Sequence, residues 1–176
     1  IEYSKKLWCV AQECDIPFIY ASSAATYGAG HQGFSDAHDI LPGLKPLNKY
    51  GLSKHLFDKW LLKQKEKPKN WAGLKLFNVY GPNEFHKNDM ASAIHKFILQ
   101  AKDNGTVKLF KGSHGFEDGE QKRDFIFVAD VVDVILWFCF SNPTNGIYNI
   151  GTGLTTSFNI VAEVISERFG DINVKY

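Results

Sequence analysis

Short apolar runs alternate with helical stripes along most of this chain, and that alternation limits the fold more than any other feature. Phe18-Ile19-Tyr20-Ala21 is a continuous apolar run, the pattern of a strand buried on both faces. Gly73 to Val79, Val107 to Phe110, Asp124 to Val128 and Tyr148-Asn149-Ile150 read as further strands. Between them lie helical stretches. Tyr3, Leu7, Val10, Ala11 and Cys14 form a stripe in the first segment. Leu52, Leu56, Phe57, Trp60 and Leu61 form another behind a candidate cap, Asn48. Met90 to Ala101 places Ile94, Phe97, Ile98 and Ala101 on one face, Asp130 is expected to cap the next helix, and Ser157 to Phe169 is amphipathic. Strands alternating with helices predict an α/β fold, a Rossmann-like parallel sheet with crossover helices.

No repeat or linker divides the chain, so residues 1–176 are expected to form a single partial domain with a small substrate-binding region. At 176 residues and 44% hydrophobic content there is enough apolar surface for a real core. A net charge of +1 offers no electrostatic case for nucleic acid or an anionic membrane. The apolar run from Val131 to Phe140 is too short to span a bilayer. Cys9, Cys14 and Cys139 are odd in number and lack metal spacing. They are expected to be reduced thiols, small core residues of a cytoplasmic protein. His86, His95 and His114 also lack a metal-binding spacing, so no metal site is expected. The four tryptophans, Trp8, Trp60, Trp71 and Trp137, lie mostly at core positions. Ile1 opens in a helix already under way and Val174-Lys175-Tyr176 is strand-like, so the chain reads as a fragment of a longer protein.

The chemistry gathers between Ser22 and Lys54. Ser22-Ser23 ends the first strand, and Tyr50-Gly51-Leu52-Ser53-Lys54 opens a helix. Residues four apart on a helix share a face. A phenol beside an ammonium exchanges a proton more readily, because the cation favours the phenolate. A serine hydroxyl at a strand end could bond the same substrate oxygen. Residues 24–47 form a long loop of the kind that usually serves function. Inside it, Gly28-Ala29-Gly30-His31-Gln32-Gly33 fits the dinucleotide pattern G-x-G-x-x-G. That pattern binds pyrophosphate only where a strand ends directly on a helix N-terminus, and here Ser22 to Tyr27 intervene after the apolar run and Phe34 to Pro46 is not a helix. It is read as a loop, with the true glycine motif expected upstream of Ile1.

Ser22 to Gly28, Tyr50 to Lys54, Asn78-Val79-Tyr80-Gly81-Pro82 and Arg123 to Asp130 together resemble the extended short-chain dehydrogenase/reductases that act on nucleotide sugars. Tyr20 to Gly28, Phe77 to Pro82, and His86-Lys87 followed by Met90-Ala91-Ser92 are most similar to the ADP-heptose epimerase branch. The resemblance covers nearly the whole chain. It implies NADP as cofactor, ADP-heptose as substrate, transient oxidation and re-reduction of one heptose carbon, and a place in lipopolysaccharide inner-core biosynthesis. It also implies a cytoplasmic homo-oligomer, a pentamer.

Residue by residue, the resemblance implies that Tyr50, Lys87 and Ser23 are catalytic. Tyr50 and Lys87 would be acid/base groups on opposite sugar faces, and Ser23 a hydroxyl binder. Lys54, Val79 and Lys87 would meet the cofactor. Ser23, Asn78, Asp89, Lys96, Phe110, Lys111, Gly112, Ser113 and Arg123 would meet the substrate, with the Arg123 fork suited to a diphosphate. Asp89 and Lys96 depart from the family's usual residues, and loop 114–122 is longer than usual. Asp124 and Asp130 are read as a structural strand-end partner and a helix cap. Two other readings stay open: an epimerase or dehydratase for UDP- or GDP-sugars, and a nucleotide-sugar binder without catalysis.

Overall fold

A computed structural model describes every residue except His114 and Asn142. In chain order the elements are α1 (Glu2–Glu13), β1 (Phe18–Ser23), α2 (Lys49–Leu62), β2 (Trp71–Leu76), β3 (Asn78–Tyr80), α3 (Ala93–Asn104), β4 (Thr106–Lys108), β5 (Lys122–Arg123), β6 (Phe125–Phe127), α4 (Val128–Ser141), β7 (Gly146–Ile150), β8 (Thr156–Ser157), α5 (Phe158–Phe169) and β9 (Asn173–Lys175). The α/β class is as predicted. Among the described residues, three of the four sheets are parallel, and the β5–β8 pair is antiparallel. The chain forms two compact units, one of residues 1–77 and 131–150, the other of residues 78–130 and 151–176.

The first unit holds a parallel sheet in the order β1-β2-β7, with Ser22 opposite Lys75 and Ser23 opposite Leu76. Its core gathers Trp8, Tyr27, Leu41, Leu44, Phe57, Leu61, Trp71 and Ile147. Trp8 meets Phe18 and Trp71 edge-on, with ring centroids 5.3 and 5.8 Å away. The inner face of α1 is therefore Trp8 and Ala11, whereas Tyr3, Leu7, Val10 and Cys14 of the predicted stripe are exposed. One large indole fills the space that several smaller side chains would have shared. In α2 the buried residues are Gly51, His55, Phe57, Asp58 and Leu61, while Leu52 and Leu56 are exposed. The stripe is displaced because the helix buries polar groups that periodicity alone assigns to solvent. All three cysteines are exposed rather than in the core, and so is Trp137.

The loop between β1 and α2 is not idle. The Asn149 amide donates to Asp36 Oδ2 at 2.7 Å, the Ile147 amide to His38 Nε2 at 3.1 Å, and Asn149 Nδ2 to the Phe34 carbonyl. Side chains from the loop thus satisfy the outer edge of β7. Gly28, Gly30 and Gly33 all have positive φ, and residues 28–33 lead into turns, not a helix. The reading of this segment as a loop stands.

The second unit packs Phe97, Ala101, Val107, Leu109, Phe158, Val161, Ala162 and Ile165 together. Here α3 buries the predicted face, starts three residues later than expected, and is capped by the Ser92 hydroxyl on the His95 amide at 3.1 Å. The strand-like tail pairs as β9 in parallel with β4. The run read as one strand, Gly73 to Val79, is divided: β2 ends at Leu76, and Asn78–Tyr80 is a separate strand, β3, paired with β6. The reason is a partner for its backbone: the Asn78 amide donates to the Asp124 carbonyl at 3.0 Å. The strand read as Asp124 to Val128 is only Phe125–Phe127, and Val128 already starts α4. Asp130 therefore lies inside the first turn of α4, where a carboxylate suits the helix dipole, rather than at the cap. Asp124 is a structural partner as predicted. It accepts from the Thr152 amide, the Thr152 hydroxyl and the Gly153 amide at 2.8–2.9 Å. No helix among the described residues is long and apolar enough to cross a membrane.

Candidate active site

In the first unit β1 delivers Ser23 and α2 delivers Tyr50 and Lys54. Ser23 is buried, and its Oγ accepts from the Ala25 amide at 3.1 Å, capping the 3-10 turn Ala24–Tyr27. A hydroxyl that accepts one bond still has a proton to donate. Asn48 Oδ1 accepts from the Gly51 amide at 2.8 Å and starts α2, so Tyr50 sits in its first turn. Tyr50 is 55% exposed, so the residue is accessible to a ligand. Lys54 donates to the Ala21 carbonyl at 2.7 Å, and its ammonium lies 5.7 Å from the centroid of the Tyr50 ring. Gly51 makes the close docking possible: a Cβ there would lie 2.6 Å from the Ala25 carbonyl oxygen. The structure thus brings Tyr50 and Lys54 together, with Lys54 tied to β1 through Ala21.

Below this site lies a polar network that the sequence reading missed. Asp58 is fully buried and continues the Tyr50, Lys54 stripe by one more turn. Its Oδ1 accepts from the Tyr20 hydroxyl at 2.9 Å; its Oδ2 accepts from the Ser22 hydroxyl at 2.7 Å and from Lys75 Nζ at 3.0 Å. Lys75, also fully buried, donates to the Thr26 hydroxyl at 2.6 Å, and Thr26 donates to the Ser23 carbonyl at 2.8 Å. Burial pulls the Lys75 ammonium below its usual range, against the opposing pull of Asp58. Burial pushes the Tyr20 phenol well up, and the Asp58 charge adds to the effect. His55 is held below its ordinary value by burial, with Lys59 and Lys75 adding to it, and its Nδ1 is buried without a partner. A lone lysine in an apolar strand and an acid at the i+8 position were the signals available in the sequence.

In the second unit Asn78 is held at the start of β3, where its Nδ2 also donates to the Asp124 carbonyl at 3.0 Å, and Val79 follows half-buried. Lys87 lies in a 3-10 segment, Phe85–Met90, kinked at Asn88, whose φ is 46°. Its ammonium is 3.5 Å from Glu84 Oε2. Glu84, buried and also missed, accepts from the Gly81 amide at 3.2 Å, the Ser92 amide at 2.8 Å and the Ser92 hydroxyl at 2.7 Å. Burial alone would raise its carboxyl, but the Ser92 and Gly81 bonds and Lys87 outweigh it and hold it below the usual value. Lys96 donates to the Asp89 carbonyl at 2.6 Å, which joins two of the predicted substrate residues.

The remaining predicted positions frame one loop. Phe110 and Arg123 both lie on the Phe158 ring, with a ring centroid at 4.9 Å and a guanidinium carbon at 5.8 Å. The Lys111 carbonyl accepts from Gln121, the Gly112 amide donates to Asp118 at 2.6 Å, and Ser113 bridges Phe116. These contacts order the longer loop that follows residue 113; His114 lies outside the described residues. No cluster of His, Cys, Asp or Glu that could hold a metal occurs among the described residues.

Ser23, Tyr50 and Lys54 come from the carboxyl end of a parallel strand and the helix that follows it, the place where open α/β sheets bind their ligands. Residues 1–151 match the NAD dependent epimerase/dehydratase family, and the chain belongs to it. Over 159 residues it is 54% identical to an ADP-L-glycero-D-manno-heptose-6-epimerase of Fusobacterium nucleatum, covering 89% of this chain and 48% of that one. The crystal structure of the Helicobacter pylori ADP-L-glycero-D-manno-heptose-6-epimerase matches 95% of this chain and 50% of its own, at 32% identity and TM-score 0.81. A UDP-N-acetylglucosamine 4-epimerase of Methanobrevibacter ruminantium, in complex with UDP-N-acetylmuramic acid, matches at 26% identity and TM-score 0.85, over 100% of this chain and 55% of that one. The chain spans about half the length of the curated relatives it matches.

Proposed function

We propose that this sequence is part of an NADP-dependent enzyme that interconverts the two C6 epimers of ADP-glycero-manno-heptose, serving lipopolysaccharide inner-core synthesis in the cytoplasm. The observation that carries the reading is the pairing of an exposed Tyr50 with the Lys54 ammonium, tied to β1 through Ala21, in a chain 54% identical to a heptose epimerase. The donor set suits a nicotinamide nucleoside. Lys54 spends one N–H on Ala21 and retains two for a ribose diol. Among the described residues no glycine-rich turn joins a strand directly to an α-helix, so the cofactor's pyrophosphate is assigned to another part of the intact protein.

A bound nicotinamide would supply reversible hydride chemistry, which inversion through a transient ketone needs, and Lys54 would hold its ribose. Tyr50 moves the hydroxyl proton on one face, with Ser23 donating to the same oxygen. Lys87 handles the proton on the other face, because inverting the carbon changes which side the oxygen presents. Asn78, Asp89, Lys96, Phe110, Lys111, Gly112, Ser113 and Arg123 bind the nucleotide sugar, and Arg123 faces its diphosphate. The assembly is proposed to be a homo-oligomer, a pentamer, which light scattering of the intact protein measures.

The test is turnover of either ADP-heptose epimer by the intact protein without added reductant. Tyr50→Phe is expected to lower kcat by about 10²–10⁴-fold with the fold retained. Undiminished turnover in that variant overturns the reading. Competition by ADP-, UDP- and GDP-sugars decides the nucleotide class; preference for UDP- or GDP-sugars would replace the ADP-heptose reading with another nucleotide-sugar epimerase or dehydratase.

A further inference from the structure

We propose that the buried Asp58–Lys75 pair is a positioning element that sets Tyr50 and Lys54 of α2 in register with Ser23 of β1. The proposal rests on the proton-shuttle reading above. Tyr50, Lys54 and Asp58 lie at i, i+4 and i+8, on one stripe of the helix. That stripe runs from an exposed tyrosine through Lys54 to a carboxylate with no solvent contact. An apolar contact would tolerate a helix sliding along a strand. A carboxylate with three fixed donors does not: Tyr20 and Ser22 hold it from β1, and Lys75 from β2, where Lys75 stands directly opposite Ser22. Lys75 then continues through Thr26 to the Ser23 carbonyl, so the same pair also holds the turn that follows Ser23. Burying two charges is no cheap route to stability, since apolar residues of similar size often do as well. Fixing register is the use of such a pair that apolar residues do not replace.

The experiment measures kcat and KM of the intact protein in three variants. Ser22→Ala removes one tie and leaves the pair. Asp58→Leu with Lys75→Met replaces the pair by apolar groups of similar size. Lys75→Arg keeps the cation and its donors. The expected result is a kcat loss of more than about tenfold in the double variant and a smaller loss in Ser22→Ala, because a displacement near 1 Å is expensive in catalysis. KM is expected to stay within about twofold, and Lys75→Arg to retain kcat within about twofold. Amide exchange at Tyr50 to Lys54, measured without substrate or cofactor, is expected to quicken about tenfold in the double variant. A folded double variant with wild-type kcat overturns the proposal and leaves the pair merely structural. If the double variant does not fold, wild-type kcat in Ser22→Ala overturns it instead. Tyr50→Phe is run alongside. An active Tyr50→Phe removes the proton-shuttle reading itself, whereas an inactive Tyr50→Phe beside a fully active double variant removes only the positioning role.

Discussion

Lys75 donates to Asp58 at 3.0 Å with both side chains wholly excluded from water. Deleting one partner leaves the other charge buried and unpaired. Lys75→Met is therefore expected to lose about 3–5 kcal/mol of stability, and the Asp58→Leu/Lys75→Met double variant much less. Urea unfolding of the four corners of this cycle measures the coupling. Equal losses in the single and double variants would contradict the account.

His55 titrates with a known sign. Its folded value is depressed by burial, so its contribution to stability is fully present above about pH 6.5 and is lost as pH falls through the lower folded value. His55→Leu is expected to flatten the stability profile below about pH 6.5. Chemical denaturation at several pH values reads this directly, and an unchanged slope in the variant would assign the pH dependence elsewhere.

Glu84 ties together both ends of the segment that carries Lys87 and Asp89, through Gly81 and Ser92. Its carboxyl is held below the usual value, so this stabilisation is present above about pH 4.5 and is lost as pH falls through the folded value. Glu84→Gln is expected to cost about 1.5–3 kcal/mol, the range for hydrogen bonds to a charged group. Faster amide exchange at Ser92 is the accompanying local signature.

Gly51 and Gly28 differ in what a methyl group would meet. At Gly51 a Cβ would lie 2.6 Å from the Ala25 carbonyl oxygen, forcing the start of α2 off the turn after Ser23. Gly51→Ala is expected to cost about 1–3 kcal/mol. At Gly28 the Cβ would lie 1.9 Å from the Lys45 carbonyl oxygen, and φ is +62°, so Gly28→Ala combines a backbone clash with left-handed strain. It is expected to be the more damaging of the two in a thermal melt.

The chain's own order determined a good deal. Alternating apolar runs and stripes predicted the α/β class, because strand and helix periods differ. Asn48 capped α2 and Ser157 capped α5, because a cap is a local bond between neighbours. The spacing of Tyr50 and Lys54 placed both on one helix face, as the ring-to-ammonium contact bears out. Family membership followed from short motifs that survive as sequence.

Tertiary structure decided what depends on partners far along the chain. Which face of α1 turned inward was set by one indole, Trp8, fitting against Phe18 and Trp71. The run read as one strand, Gly73 to Val79, was divided between two sheets because Phe125 to Phe127, 47 residues on, offered Asn78 to Tyr80 backbone partners of their own. The buried charges of Asp58 and Lys75 had no expression in a hydrophobic pattern, which assigns charge to solvent. Only the fold could supply Ser22, Tyr20 and Thr26 around them, since a charge leaves water only where donors and acceptors from other elements are already in place.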